Sequence, residues 1–390
     1  MRSDLKNELD QELKNLLSFW SENTIDNEFG GFIGERDFYN NEIQKAPKGI
    51  ILNTRILWAF SAASNHLRTN RYQAVCDRAY RYLKTYYKDE KNNGIFWLLD
   101  HEGKAINKRK QIYAQAFAIY ALTEYYVFSK DMDAKIWAIE LFFCIEKHSK
   151  DLKNKGYFEA FAEDWLPIED MRLSEKDLNA SKTMNTHLHI LEAYTSLLHI
   201  YDHEYLRYTL KNLVELMFNQ FLNKDYNFEL FFDDEWNLLS NTISFGHDIE
   251  SSWLILEATR ALKDKDLIKK AENYAIKIAD QFLKTALNHD GAVINEKNRK
   301  TSELDTDLHW WPQVEALIGL DYVYKLTGKA NYISASEKIW AFTKKHIIDH
   351  KNGEWHFRIN DRYEPYTTEN KVSMWKAPYH NVRACIKLNQ

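Results

Sequence analysis

The sequence predicts an all-α chain of six paired helices, and three observations carry that prediction. First, the 390 residues contain only 12 glycines and 5 prolines, about 4% of the chain against roughly 12% in ordinary proteins. So few backbone breakers disfavour β-sandwiches and long linkers and favour helix. Second, apolar residues recur at spacings of three and four in twelve stretches, which begin near Ser3, Gly49, Asn70, Lys110, Met132, Ser181, Asp202, Gly246, Asp266, Asp307, Gly328 and Ala377. Third, six short aromatic segments fall between these stretches, so the order helix, hairpin, helix recurs. Helices that follow a hairpin start near positions 49, 110, 181, 246, 307 and 377, at intervals of about 61 to 71 residues. Units of this length bury their faces against their neighbours. Six of them can close into a ring of inner helices surrounded by outer ones, an (α/α)6 barrel with short β-hairpins between helices, and residues 1–390 read as a single domain.

Each element has a local reason. Several helix starts carry Asp, Asn or Ser, whose side chains accept hydrogen bonds from the free N–H groups of a first turn. The hairpin segments are residues 30–34, 94–98, 156–160, 226–230, 291–295 and 353–357. Five open with glycine after polar residues, as a tight turn requires; the fourth departs, with Asp225-Tyr226-Asn227.

Charge and composition exclude several functions. The net charge is −5 and the pI about 6.3, with Lys and Arg scattered, which argues against a nucleic-acid partner. Apolar runs fall well short of the roughly 20 residues that span a bilayer, so no membrane association is expected. The charged start, Met1 to Glu8, has no apolar signal core. Cys76, Cys144 and Cys385 are widely spaced and odd in number, which suits reduced thiols and a cytoplasmic location. No obligate protein partner is implied. Aromatic residues make up 14% of the chain, enough for core volume and for platforms under flat apolar ligand faces.

The chemistry-capable residues gather at the starts of the post-hairpin helices. They are Asn53 and Arg55; Tyr113 and Gln115; Asn185, His187 and His189; His247, Asp248, Glu250 and Trp253; His309, Trp310, Trp311, Gln313 and Glu315; and Trp375, Lys376, Tyr379, His380 and Arg383. In a barrel of parallel inner helices all these starts meet at one mouth, which makes an enzyme pocket. Arg55 lies in an apolar run, where a charge is costly without a partner or ligand. His187 and His189 are two apart and face different ways, so at most one enters the pocket. His247 and Glu250 are three apart and share a helix face. The bland alternatives are a surface pair for these two and core packing for Trp310 and Trp311. No HExxH or CxxC spacing supports a metal site. The acidic run Asp233-Asp234-Glu235 falls in a hairpin with no complementary second cluster.

Five blocks, residues 48–58, 181–189, 244–253, Trp310-Trp311 with Glu315, and 375–381, together resemble the N-acylglucosamine 2-epimerase superfamily, and within it the cellobiose 2-epimerases. The likeness runs over nearly the whole chain. It implies the (α/α)6 barrel and a reversible epimerisation at C2 of a reducing-end sugar, between glucose and mannose configurations, without metal or other cofactor. The small-molecule substrate implied is a β-1,4-linked disaccharide such as cellobiose, with lactose as a further candidate. By this resemblance His247 and His380 exchange the C2 proton on opposite faces of an enediol. Arg55 is the essential arginine, and Glu250 and Glu315 are the acidic residues. Tyr113, Asp177, Asn185 and His189 open the ring and hold the sugar, and Trp253, Trp310, Trp311 and Trp375 form an aromatic floor. Two departures are Ala377, where many members have a small thiol residue, and Val382, where a glycine is usual; the second is expected to narrow the mouth.

The residues themselves support that chemistry. A C2 proton beside an aldehyde is weakly acidic, and histidine serves as base or acid near neutrality. One histidine works only on its own side of the carbon, so inversion calls for two. Arg55 can stabilise the enediolate oxygen, Glu250 is expected to orient His247, and His189 is the candidate for ring opening. The alternatives are a monosaccharide enzyme (mannose 2-epimerase, mannose isomerase or N-acetylglucosamine 2-epimerase) and, from other classes, a glycoside hydrolase using Asp248, Glu250 or Glu315, or a non-catalytic binding protein.

Overall fold

The structure, a computed structural model, describes residues 3–390, with side chains from Leu5 onward. Twelve α-helices alternate between two layers. The inner ones are α2 (Ile50–Leu67), α4 (Ile112–Ser129), α6 (Met184–Leu198), α8 (Phe245–Leu262), α10 (Trp310–Thr327) and α12 (His380–Leu388). The outer ones are α1 (Ser3–Asn23), α3 (Gln73–Tyr82), α5 (Met132–His148), α7 (Glu204–Leu216), α9 (Lys265–Thr285) and α11 (Ala330–Phe342). The helix starts lie within a few residues of those expected. Inner helices pack in the order α2, α4, α6, α8, α10, α12 and back to α2, which closes the ring. The outer helix of the sixth pair is α1, which lies on α12. Chain ends are therefore joined by packing, and by hydrogen bonds from Trp355 Nε1 to Glu12 (2.7 Å) and Asn389 Nδ2 to Asp10 (2.7 Å).

Layer position follows from residue pattern. Every residue of α2 from Ile50 to Ser64 is buried, as a helix enclosed on all sides requires. In α9 only a stripe is buried, Leu267, Ala271, Ala275, Ile278, Ala279 and Phe282, and the opposite face is rich in Lys. Four inner helices end in a left-handed residue (Arg68, Lys130, Lys263 and Gly328) that turns the chain outward.

The hairpins do more than sequence spacing suggests. The two or three residues before each of the first five inner helices pair antiparallel with the next repeat: Lys48–Gly49 with Leu98–Leu99, Lys110–Gln111 with Ala160–Phe161, Lys182–Thr183 with Phe231–Phe232, Thr242–Ser244 with Glu296–Asn298, and Leu308–His309 with Arg358–Ile359. A bridge between Arg36 and Val372 couples the last repeat to the first. Consecutive repeats are thus stitched at the same end, where the site lies. The turns need left-handed backbone, supplied by glycines such as Gly94, Gly156 and Gly353; in the fourth, departing hairpin Tyr226 takes it instead, at φ 62°.

A buried lysine accompanies four of these stitches. Lys48, Lys110, Lys182 and Lys371 each meet a turn carboxylate, Asp26, Asp89, Asp151 and Asp349, at 2.6 to 2.8 Å. In the other two repeats the turn residue is Asn223 or Asn288, and the lysine position is Ile243 or Leu308. The exchange is reciprocal, because a buried ammonium without its carboxylate would be strongly destabilising.

Candidate active site

Inner helices run parallel, so their first turns converge at one mouth. The fourth residue of each of four helices is spent on the fold. Gln115 accepts from Ile95 N and donates to its carbonyl, and Gln313 does the same for Val293. His187 Nε2 accepts from Tyr157 N (2.9 Å), and Asp248 accepts from Phe228 N and Asn227 Nδ2 (both 2.7 Å). His187 therefore anchors a hairpin, and of the two neighbouring histidines only His189 enters the pocket. Asp248 is removed as a hydrolase carboxylate for the same reason. The Asp233 run is likewise structural: its carboxylate accepts from Glu235 N and Asn237 N in an exposed turn.

His247 and His380 meet at Trp311, whose ring centroid lies 4.8 Å from one imidazole and 5.4 Å from the other. Gly246 allows this approach, since a Cβ there would sit 2.4 Å from the Trp311 ring. The two histidines are held differently. His247 Nδ1 lies 2.8 Å from Ser244 Oγ. His380 Nδ1 lies 2.8 Å from Glu315 Oε1 and 4.0 Å from Glu250 Oε1. The expectation that Glu250 orients His247 is thus corrected: Glu250, one turn deeper on α8, pairs with Arg383 of α12.

Arg383 is the hub beneath the site. Fully buried, it pairs with Glu192, Glu250 and Glu315, and its guanidinium lies over Tyr379 (4.2 Å) and Trp253 (4.7 Å). Glu250, Glu315 and His380 bring ligand atoms within 4.8 Å of one another, the geometry of a small cation site, but the guanidinium already bonds both carboxylates. Glu192 also accepts from Tyr379 OH (2.6 Å) and lies 2.9 Å from His189 Nδ1.

Arg55, 3% exposed, has no carboxylate within 4 Å among the described residues. It donates to Tyr113 OH (2.9 Å) and the Trp375 carbonyl (3.1 Å), lies over Phe117 (4.6 Å), and leaves its buried Nε unpartnered. The His189 ring packs against Tyr113 and Phe117, 4.9 and 4.8 Å away. A cationic side chain, a carboxylate-held imidazole and a phenol therefore share one wall.

Burial sets the protonation states. It pushes His247 down to about 3, and with the charges of Arg55 and Arg383 it pushes His380 well below the usual imidazole range. Both rings are neutral at neutral pH, as bases must be. Burial and the neighbouring Glu315 raise Glu250 to about 7, and burial raises Glu315. Burial opposes ionisation of Glu192 too, but Arg383 and His189 win and hold it down at about 2.

From His247 a cleft of about 380 Å³ opens outward, lined by Asp177, Asn185, Glu159, Glu296, His309 and Arg358 among others. Asn185 Oδ1 is buried without a partner, an open acceptor. The aromatic floor divides. Trp311 and Trp375 are half-buried at the site. Trp253, 1% exposed, instead donates to Glu315 (3.2 Å) behind it, and Trp310 packs against Phe357; neither presents a free face. Val382 is fully buried in α12 and does not line the mouth. Sequence reasoning left Ser244 and Glu192 out, and it noted Tyr379 and Arg383 without giving them a role. A spacing signal existed, since Glu192 stands three after His189 and Arg383 three after His380.

A closed helical barrel that gathers two neutral imidazoles, an arginine with no carboxylate partner and a carboxylate cluster at its mouth has the groups for acid–base chemistry. The match to known proteins agrees: residues 31–384 fit the family described as N-acylglucosamine 2-epimerase (GlcNAc 2-epimerase), and the chain belongs to that family. It is 41% identical to a cellobiose 2-epimerase of Bacteroides fragilis, over 98% of each chain. The solved cellobiose 2-epimerase of Bacillus thermoamylovorans superposes with a TM-score of 0.95 at 34% identity, covering 100% of this chain and 99% of that one. A D-mannose isomerase of Marinomonas mediterranea is 23% identical, over 99% of this chain and 97% of its own. The barrel fold and the carbohydrate-epimerase class expected from sequence both hold. No described helix is long and apolar enough to cross a membrane.

Proposed function

We propose that this protein epimerises C2 of the reducing-end residue of β-1,4-linked disaccharides, cellobiose foremost, interconverting glucose and mannose configurations. The observation that carries the reading is the pair of neutral imidazoles gathered on Trp311 near an arginine with no carboxylate of its own. His189, held by Glu192, assists opening of the cyclic hemiacetal by moving the proton between ring oxygen and O1. One of His247 and His380 then takes the C2 proton, and the electron pair moves into the C1–C2 bond. Arg55 offsets the charge that develops on the carbonyl oxygen. The other imidazole, protonated in turn, returns a proton to the opposite face of C2. Glu250, raised to about 7 beside His380 and with its Oε2 unpartnered, serves as the proton store. The cleft beyond His247 gives a second sugar room, which supports a disaccharide over a monosaccharide.

The test is NMR of cellobiose incubated with the protein in deuterated water. Expected is the mannose-configured epimer with deuterium at C2 and the glycosidic bond intact. Free monosaccharides would indicate hydrolysis. A ketose as main product would mean proton return at C1, the isomerase outcome.

A further inference from the structure

At the opposite end of the barrel lies a second cavity of about 340 Å³, lined by residues of five of the six inner helices. The catalytic chemistry does not use it. We propose that it binds a small hydroxylated ammonium compound, a protonated amine carrying hydroxyl groups.

Three observations specify that ligand. The first is charge. Of the carboxylates lining the cavity, Glu192 is paired with Arg383 and Glu257 with Lys387. Glu124 has no cation within 4 Å among the described residues; the side-chain donor it holds is the neutral Asn65 amide, at 2.5 Å, and burial raises its carboxyl against the opposing charge of Lys387, so an ammonium group bound beside it would hold it ionised. Helix C-termini add negative potential at this end, so the cavity favours a cation. The second is an orphan donor. Trp58 lines the cavity, is 4% exposed, and its indole N–H has no partner. A bare cation cannot satisfy an N–H; a hydroxyl oxygen can. The third is shape: Trp58 and Tyr120 stack at 5.1 Å with planes 13° apart, and aromatic rings beside a carboxylate suit an ammonium group with a short carbon frame. An amine with hydroxyls answers all three at once.

The experiment is calorimetric titration of the full chain at pH 7 with Tris, a protonated hydroxylated amine. Sorbitol supplies hydroxyls without charge, and tetramethylammonium supplies charge without hydroxyls. Expected is one-to-one binding of Tris that persists under saturating cellobiose, and at least tenfold weaker binding of both comparators. Glu124→Gln and Trp58→Phe should each weaken Tris at least fivefold, with thermal melting confirming that each variant is folded. Epimerisation of cellobiose by Glu124→Gln without Tris should stay within twofold. The proposal is overturned if Tris does not bind, if cellobiose displaces it, if sorbitol binds as tightly, or if both folded variants bind Tris like the parent chain. Because the readout is binding, this result is independent of whether cellobiose is the substrate.

Discussion

Arg55 at the mouth is buried with no carboxylate within reach, and Glu124 at the far end has no cation within reach. Between them the charges are matched: Arg383 sits on Glu192, Glu250 and Glu315, and Lys387 on Glu257. The six inner helices point their N-termini at the mouth and their C-termini at the opposite end, so backbone dipoles favour negative charge at one and positive charge at the other. An unpaired side-chain charge marks where each end awaits a ligand: a developing enediolate at the mouth, an ammonium group at the base. Glu192 touches both regions, holding His189 on one side and lining the second cavity on the other.

The sharpest way to break this comparison is to remove the mouth's imidazoles. His247→Asn or His380→Asn should lower epimerisation of cellobiose by about 10³–10⁴-fold, measured by product formation, with circular dichroism unchanged. Each variant should still exchange C2 hydrogen with deuterated water from one epimer only, because one base remains on one face. Exchange from both epimers in either variant would mean that a single group serves both faces. Arg55→Met comes next, with an expected loss of about 10²–10³-fold in kcat/KM, the usual worth of one oxyanion donor. If Arg55→Met were as harmless as Glu124→Gln, an unpaired charge would not mark a catalytic site.

A smaller effect separates the two histidines. Ser244→Ala removes the neutral partner of His247 and should reduce kcat about tenfold, while Glu315→Gln removes the carboxylate of His380 and should cost more, since charge-assisted hydrogen bonds are roughly twice as strong. Equal losses would show that the two supports are interchangeable. The smallest effect concerns stability. Glu159, buried beside the mouth and bonded to Thr183 N and Thr186 Oγ1, is raised by burial from 4.5 to about 8. The folded chain therefore keeps a proton that the unfolded chain releases. Its contribution is constant below about pH 4.5, falls as pH rises to about 8, and then levels, with a limiting slope of about 1.4 kcal/mol per pH unit. Glu159→Gln should flatten the melting temperature across that window; an unchanged profile would locate the proton elsewhere.

Much of this was legible in the residues. Apolar spacing gave the twelve helices, because a helix between two layers must be apolar all round and an outer one must carry a stripe. The repeat gave the barrel, and first-turn positions placed Arg55, His247 and His380 among the polar residues expected at one mouth, while the proposed roles of the two histidines came from the family resemblance. Less legible was the division of labour among neighbours. Gln115, His187, Asp248 and Gln313 resemble site residues by type, yet each closes a hairpin of the preceding repeat.

By itself the sequence determined the helix pairs, their closure into a ring and the set of groups brought to one end, since these depend on periodicity and on which backbone each residue tolerates. Only the tertiary structure decided which carboxylate serves which histidine, which tryptophans keep a free face, and that Glu124 and Trp58 share a second cavity. Apart from His189 with Glu192, those outcomes depend on side chains more than forty residues apart meeting within a few ångströms, and spacing along a single helix says nothing of distances across the barrel.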